Sequence, residues 1–222
     1  GESLDLKAYE ADMRHLIDTY IEADEPRKIS PFDDMPLLEL IVKTGIANAI
    51  NSLPGGLKGN KDAVAETIEN NVRSKIIKEH LNDPAYYNKM SALLDEIIAA
   101  RKAKAIQYEE LLKRYVDLAK KVQAGQAEDT PVQLNTPGRR ALYNNLKESS
   151  SAAGANVAAA PAVDRALDLA IRIDAAVKHV RSDGWRGVQT REQVIKGALY
   201  GILQNVAEVE RIFLIIRQQR EY

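Results

Sequence analysis

The chain has 222 residues, with 31 Lys and Arg against 32 Asp and Glu and a formal net charge of −1. A hydrophobic content of 45% and a charged content of 28% describe a globular protein with enough chain for one large domain or two small ones. Cys is absent, which excludes disulfides, thiolate metal sites and a cysteine nucleophile and leads us to expect a cytoplasmic setting. No apolar run reaches the ~18 residues that span a membrane. The chain opens on Gly1 rather than Met, so we read it as a piece of a longer protein or a processed chain.

Residues 5–23 place Leu6, Tyr9, Met13, Leu16, Ile17 and Tyr20 on one helical stripe, before a polar loop with Pro26 and Pro31. Short helices are expected over residues 36–42, stopped by Gly45, and over 46–53, ended by the loop "PGGLKGN". Asn60 is placed to cap a helix to about Leu81. Asp83 and Pro84 are a cap and first helical position for the next one. From Pro84 to about Gln123 no Gly or Pro intervenes, and the pattern predicts one helix of about 40 residues, roughly 60 Å long. Its seam runs Tyr87, Met90, Leu94, Ile97, then Arg101 and Lys104, then Tyr108, Leu111, Tyr115, Leu118 and Val122. The basic gap reads as helix turned to water, with a binding site as the alternative.

Residues 124–135 read as a linker. Thr136 and Pro137 start a helix to about Lys147, and the small-residue stretch over about 149–161 is expected to be mobile. A helix follows over residues 163–181, then the turn "SDGWRG" and a last helix from a Thr190 cap to about Gln219. That helix would turn Val194, Ala198, Leu199, Ile202, Val206, Val209, Phe213 and Ile216 inward, and Gly197 and Gly201 lie one turn apart in it. With no alternating strand in view, the expected fold is all-α, with a helical core domain over 1–123, the linker, and a C-terminal helical segment over 136–222.

Charge is unevenly spread. Residues 1–60 hold 11 acids and 6 bases, whereas residues 136–222 hold 13 bases and 9 acids. Such asymmetry fits two partners, two docking halves, or plain surface variation. No P-loop, GxGxxG or HExxH is present, and His15, His80 and His179 have no second His at ligand spacing. We expect no catalytic residue, no metal and no cofactor in this chain.

Two places suggest anion binding. In "TPGRRALYNNL", Arg139 and Arg140 stand in the first helical turn, where cations oppose the helix dipole. An anion at that N-terminus would reverse the sign; it is either a phosphate or an Asp or Glu from elsewhere in the fold. In "DGWRGVQTR", the only Trp stands among Gly184, Gly187, Arg186 and Arg191. Trp185 reads as a plug between helices, while both arginines stay open as phosphate ligands. Arg101, Lys102 and Lys104 are secondary phosphate candidates.

The stretch "AETIENNVRSKIIKE" carries two adjacent asparagines, poor helix formers. Val64, Ala65, Ile68, Val72 and Ile76 form its apolar face, and Glu66, Asn70, Arg73 and Ile77 lie opposite. We expect Glu69 to pair with Arg73, Asn71 to satisfy a backbone group, and Glu66, Glu69, Asn70, Asn71 and Arg73 to form a structural polar network.

Five segments in order carry a resemblance: "YEADMRHLIDTYIEADEP", "AETIENNVRSKII", "YYNKMSALLDEII", "TPGRRALYNNL" and "WRG" before the terminal helix. Together they resemble the C-terminal region of the motor and restriction (R) subunit of type I restriction-modification enzymes, from about Tyr9 to the end. The resemblance implies a parent ATP-dependent site-specific deoxyribonuclease whose nuclease and translocase domains lie elsewhere, with ATP and Mg bound only there. It implies that this region attaches the motor to the modification and specificity subunits, packs on other domains of the same subunit, and contacts duplex DNA. The alternative is a structural helical adaptor that binds protein only.

Overall fold

The computed structural model describes residues 36–152 and 162–222. The N-terminal stripe over 5–23 and most of the stretch expected to be mobile lie outside them. Among the described residues all regular structure is helical: α1 Leu37–Thr44, α2 Ile46–Asn51, α3 Gly55–Lys58, α4 Lys61–Glu79, a 3-10 turn His80–Asn82, α5 Pro84–Lys102, α6 Tyr108–Ala124, α7 Pro137–Ala152, α8 Ala162–Val180, α9 Gln189–Leu203 and α10 Val206–Gln218. The fold is all-α. None of these helices is long and apolar enough to cross a membrane.

Local chemistry sets several boundaries. The Asn60 side chain accepts from the Asp62 and Ala63 amides at the head of α4, each at 3.1 Å. Asp83 accepts from the Tyr86 amide at 3.2 Å, with Pro84 at the first helical position of α5. Gly45 adopts φ +91, ends α1 and starts α2. Thr136 Oγ1 receives the Arg139 amide at 3.3 Å. Thr190 does not cap α9, whose cap position is Val188, two residues earlier and without a side-chain bond.

The expected 40-residue helix is instead a hairpin. It breaks over residues 103–107, where Lys104 takes φ +53 and the Ala105 amide reaches back to the Ala100 carbonyl at 3.0 Å. That 6→1 closure is how helices end on a left-handed residue, usually glycine. The stripe assigned from sequence is buried as expected, from Tyr87 to Ile97 and from Leu111 to Val122, but its halves fold back on each other. The Tyr86 hydroxyl, early in α5, donates to the Lys121 carbonyl late in α6 at 2.6 Å, which makes the pair antiparallel. Two stripes facing each other and α4 bury far more apolar surface than one extended rod, and this outweighs the ~1–2 kcal/mol of one left-handed residue.

The expected last helix breaks in the same way. Gln204 takes φ +52, and Asn205 caps α10 by accepting the Glu208 amide at 3.0 Å. Leu199, Val209, Phe213 and Ile216 are buried as expected, whereas Val194 and Val206, also expected inside, are exposed, and Ile195, Ile212 and Ile215 join the buried set.

Two apolar cores result. The first joins α1, α2 and α4–α6 around Ile41, Ile68, Leu94 and Tyr115. The second joins α7–α10 around Leu142, Ile173, Trp185, Leu199 and Ile212. Trp185 is 1% exposed, lies edge-on to Phe213 and donates its indole N–H to the Tyr222 carbonyl at 3.2 Å, so it plugs this core.

Candidate functional site

The described cations divide into those that build the fold and those left to solvent. Arg101 is the basic residue of the stripe's gap, and it points inward. Its Nε and Nη2 donate to the two oxygens of Glu69 at 2.8 and 2.7 Å, and Tyr115 OH donates to the same carboxylate at 2.5 Å. Glu69 is buried, and the paired carboxylate raises the Arg101 pKa. Burial pushes the Tyr115 phenol up, reinforced by Glu69. The stripe is charged at this turn because α4 sinks a carboxylate into the first core, and a buried charge needs a partner.

The expected Glu69–Arg73 pair is therefore not formed. Arg73 binds Asp95 of α5 at 2.6 Å. Asn71 donates to the Thr67 carbonyl one turn back at 2.8 Å, the backbone role expected of it. Asn70 is half-buried and engaged, whereas Glu66 is exposed, outside the Glu69 cluster's hydrogen bonds.

The N-terminus of α7 does hold an anion, and it is a protein carboxylate. Glu221 accepts the Gly138 amide. Arg139 donates through Nε to Asp174 at 2.9 Å, and through Nη1 to the Gln133 carbonyl and Asn135 Oδ1. Asp174 also takes Tyr222 OH at 2.5 Å and Lys178 Nζ at 2.9 Å. Burial alone would raise its pKa, but these donors hold the carboxyl below its usual range. Arg186 stacks on Trp185 and donates to the Arg217 and Gln219 carbonyls. Arg191 donates to the Asp183 carbonyl at 2.8 Å. Three of the four primary phosphate candidates are thus committed to protein oxygens. Arg140 is the exception, with one bond from Nη1 to the Leu134 carbonyl at 3.3 Å.

The seam between the cores is polar, and of its residues the sequence reading singles out only Asp83, as a helix cap. Asp83 Oδ1 accepts Asn145 Nδ2 and Oδ2 accepts Asn144 Nδ2, both at 2.9 Å, while Asn145 Oδ1 takes the Ala85 amide. Gln219 Nε2 donates to the Asn82 carbonyl at 2.6 Å. Burial pushes the Asp83 carboxyl up to about 6 against the pull of these donors. The available signal was a second adjacent pair of helical asparagines.

Cations open to solvent stand on several elements, Lys78, Arg165, Arg181 and Arg220 among them, and a group of them lies on the α5–α6 hairpin. Lys102 and Lys104 at its turn, and Lys113 and Lys120 along α6, are exposed with no carboxylate at ion-pair distance among the described residues. Lys113 and Lys120 are two turns apart, so they share a side of the helix about 10 Å from each other. Asp117 stands between them and lowers the net charge of the strip. Arg114 pairs with Glu110 at 3.5 Å.

The fold and these charges define an all-helical protein with two cores, a polar seam and a basic hairpin edge. No family model, curated protein or solved structure matches the chain. Among the described residues no group of His, Asp or Glu is arranged to hold a metal ion.

Proposed function

We propose that this chain is the C-terminal assembly and DNA-contact module of the motor subunit of a type I restriction-modification enzyme. The five ordered segments support the family. The unpaired lysines of the α5–α6 hairpin carry the DNA part of the reading, because unpaired exposed cations are what a duplex phosphate backbone attracts. On this reading the module joins the motor to the modification and specificity subunits and steadies duplex DNA along the hairpin. ATP, Mg and bond cleavage belong to other domains of the parent subunit, and the module itself is not an enzyme.

A specific observation favours a second reading, a helical adaptor that binds protein only: Arg101, Arg139, Arg186 and Arg191 all donate to protein oxygens.

Binding of a short duplex to the whole chain, measured across a salt series, separates the two. On the first reading, replacing Lys102, Lys104, Lys113 and Lys120 by Gln weakens binding and lowers the log–log salt slope by about 0.9 for every phosphate that is no longer neutralised. Co-purification with the modification core should survive those changes. A chain that holds the core but no DNA at any salt supports the adaptor. A chain that holds neither overturns both readings.

A further inference from the structure

Arg140 stands apart from the other half-buried arginines. Arg73, Arg101, Arg139 and Arg211 each have a carboxylate within 4 Å. Arg140 has none among the described residues, and its Nε is buried without a hydrogen-bond partner. Asp83, which Arg140 influences electrostatically without an ion-pair contact, spends both oxygens on Asn144, Asn145 and the Tyr86 amide. A half-buried guanidinium without a counter-ion is unfavourable, and it is relieved by an anion that reaches its remaining donors.

Arg140 also forms part of a wall. A cavity of about 450 Å³ lies between it and residues 124–135. Ala124, Pro131 and Leu134 give the cavity an apolar side. Gln126 and Asn135 add amides, and because Asn135 Oδ1 already accepts from Arg139, its NH₂ is the part left to donate. Exposed Glu128 also borders the space and disfavours a doubly charged guest. The volume falls within the range of small-ligand pockets, which pair an apolar lining with a few convergent polar groups.

We infer that this cavity is a carboxylate-binding pocket: the Arg140 Nη donors, since Nε is enclosed, take a single carboxylate, and the apolar side takes the stem that carries it. Arginine binds carboxylates through two parallel N–H bonds, and a monoanion best tolerates Glu128. The guest is either a free aliphatic carboxylic acid or an acidic side chain with apolar neighbours in a partner protein.

The test is NMR of the whole chain, following the Arg140 Nε–H and the backbone amides of Gln126 and Asn135. Sodium valerate, the capped tripeptide Leu-Glu-Leu and inorganic phosphate are titrated separately, with sodium chloride as control. The expected result is a saturable shift of all three signals with valerate or the peptide, with a Kd of about 1 mM or tighter. A peptide that binds at least tenfold more tightly than valerate identifies a protein partner; the reverse identifies a free acid. R140Q should abolish the shifts of the two amides. Ala124→Trp, at a position on the cavity wall, should abolish all three while leaving the Arg140 Nε–H in place. No saturable shift with either carboxylate, or a stronger response to phosphate than to valerate, overturns the inference.

Discussion

Glu69 of α4 and Arg101 of α5 meet across the first core through two hydrogen bonds of 2.7 and 2.8 Å, their side chains 6% and 11% exposed. Removing one partner strands the other charge. Arg101→Ala is expected to destabilise the chain by about 3–5 kcal/mol in urea unfolding, and Glu69→Ala by a similar amount. Replacing both by apolar residues of similar size, Glu69→Leu with Arg101→Met, should recover most of the loss. A double variant as unstable as the single ones would show that the loss does not come from a stranded charge.

Asp83 gives the seam a pH dependence whose sign is fixed by its raised pKa, about 6 against an ordinary 3.8. The folded state holds this proton more tightly than the unfolded chain. The group's contribution is therefore fully present below 3.8 and is lost as pH rises through 6, on the order of 2–3 kcal/mol in all. Comparing Asp83→Asn with the parent chain by denaturant unfolding at several pH values isolates this term. The variant should lack the decline between pH 4 and pH 7 that Asp83 adds; identical slopes in the two proteins would refute the assignment.

The glycines predict opposite signs. A Cβ on Gly138 would meet Glu221 and the Tyr222 ring, at 2.9 Å from Cε2, where that segment covers the start of α7. Gly138→Ala is expected to cost about 1–3 kcal/mol despite alanine's better helix propensity. Among the described residues nothing lies within 4 Å of a Cβ built on Gly197 or Gly201, so alanine there should stabilise by up to ~1 kcal/mol each. Thermal unfolding of the three single variants reads this directly.

Trp185 is the chain's only tryptophan and lies 1% exposed in the second core, so its fluorescence reports on that core. Trp185→Ala should cost about 3–5 kcal/mol through the cavity it leaves and the missing bond to the Tyr222 carbonyl. The parent emission should be blue-shifted and move to the red on unfolding. A red, freely quenched emission in the native protein would contradict its burial.

The stripes and caps were legible because they follow local rules. Asn60, Asp83 and Thr136 cap as their side-chain chemistry predicts, and Tyr87 to Ile97 and Leu111 to Val122 are buried as their spacing requires. Both missed breaks fall on residues without a strong local signal, Lys104 and Gln204, which adopt left-handed conformations that tertiary packing selects. The site was less legible, for a different reason. A basic residue at helical spacing looks alike whether it faces solvent or a carboxylate 32 positions away, as Arg101 does. The sequence could place Arg139 at a helix N-terminus, but not the acidic group of Glu221 beside it.

That last contact bears on the order in which the chain becomes protein. The Gly138 amide is satisfied by a residue 83 positions later, and Trp185 closes on the Tyr222 carbonyl 37 positions later. Among the described residues, the first core contains none beyond Val122. During vectorial synthesis the ribosome therefore releases everything the first core needs long before the second can finish, since its opening helix waits for the segment around Glu221. Through that interval the Asp83 seam is half-built, with its carboxylate in water and its asparagine donors not yet docked.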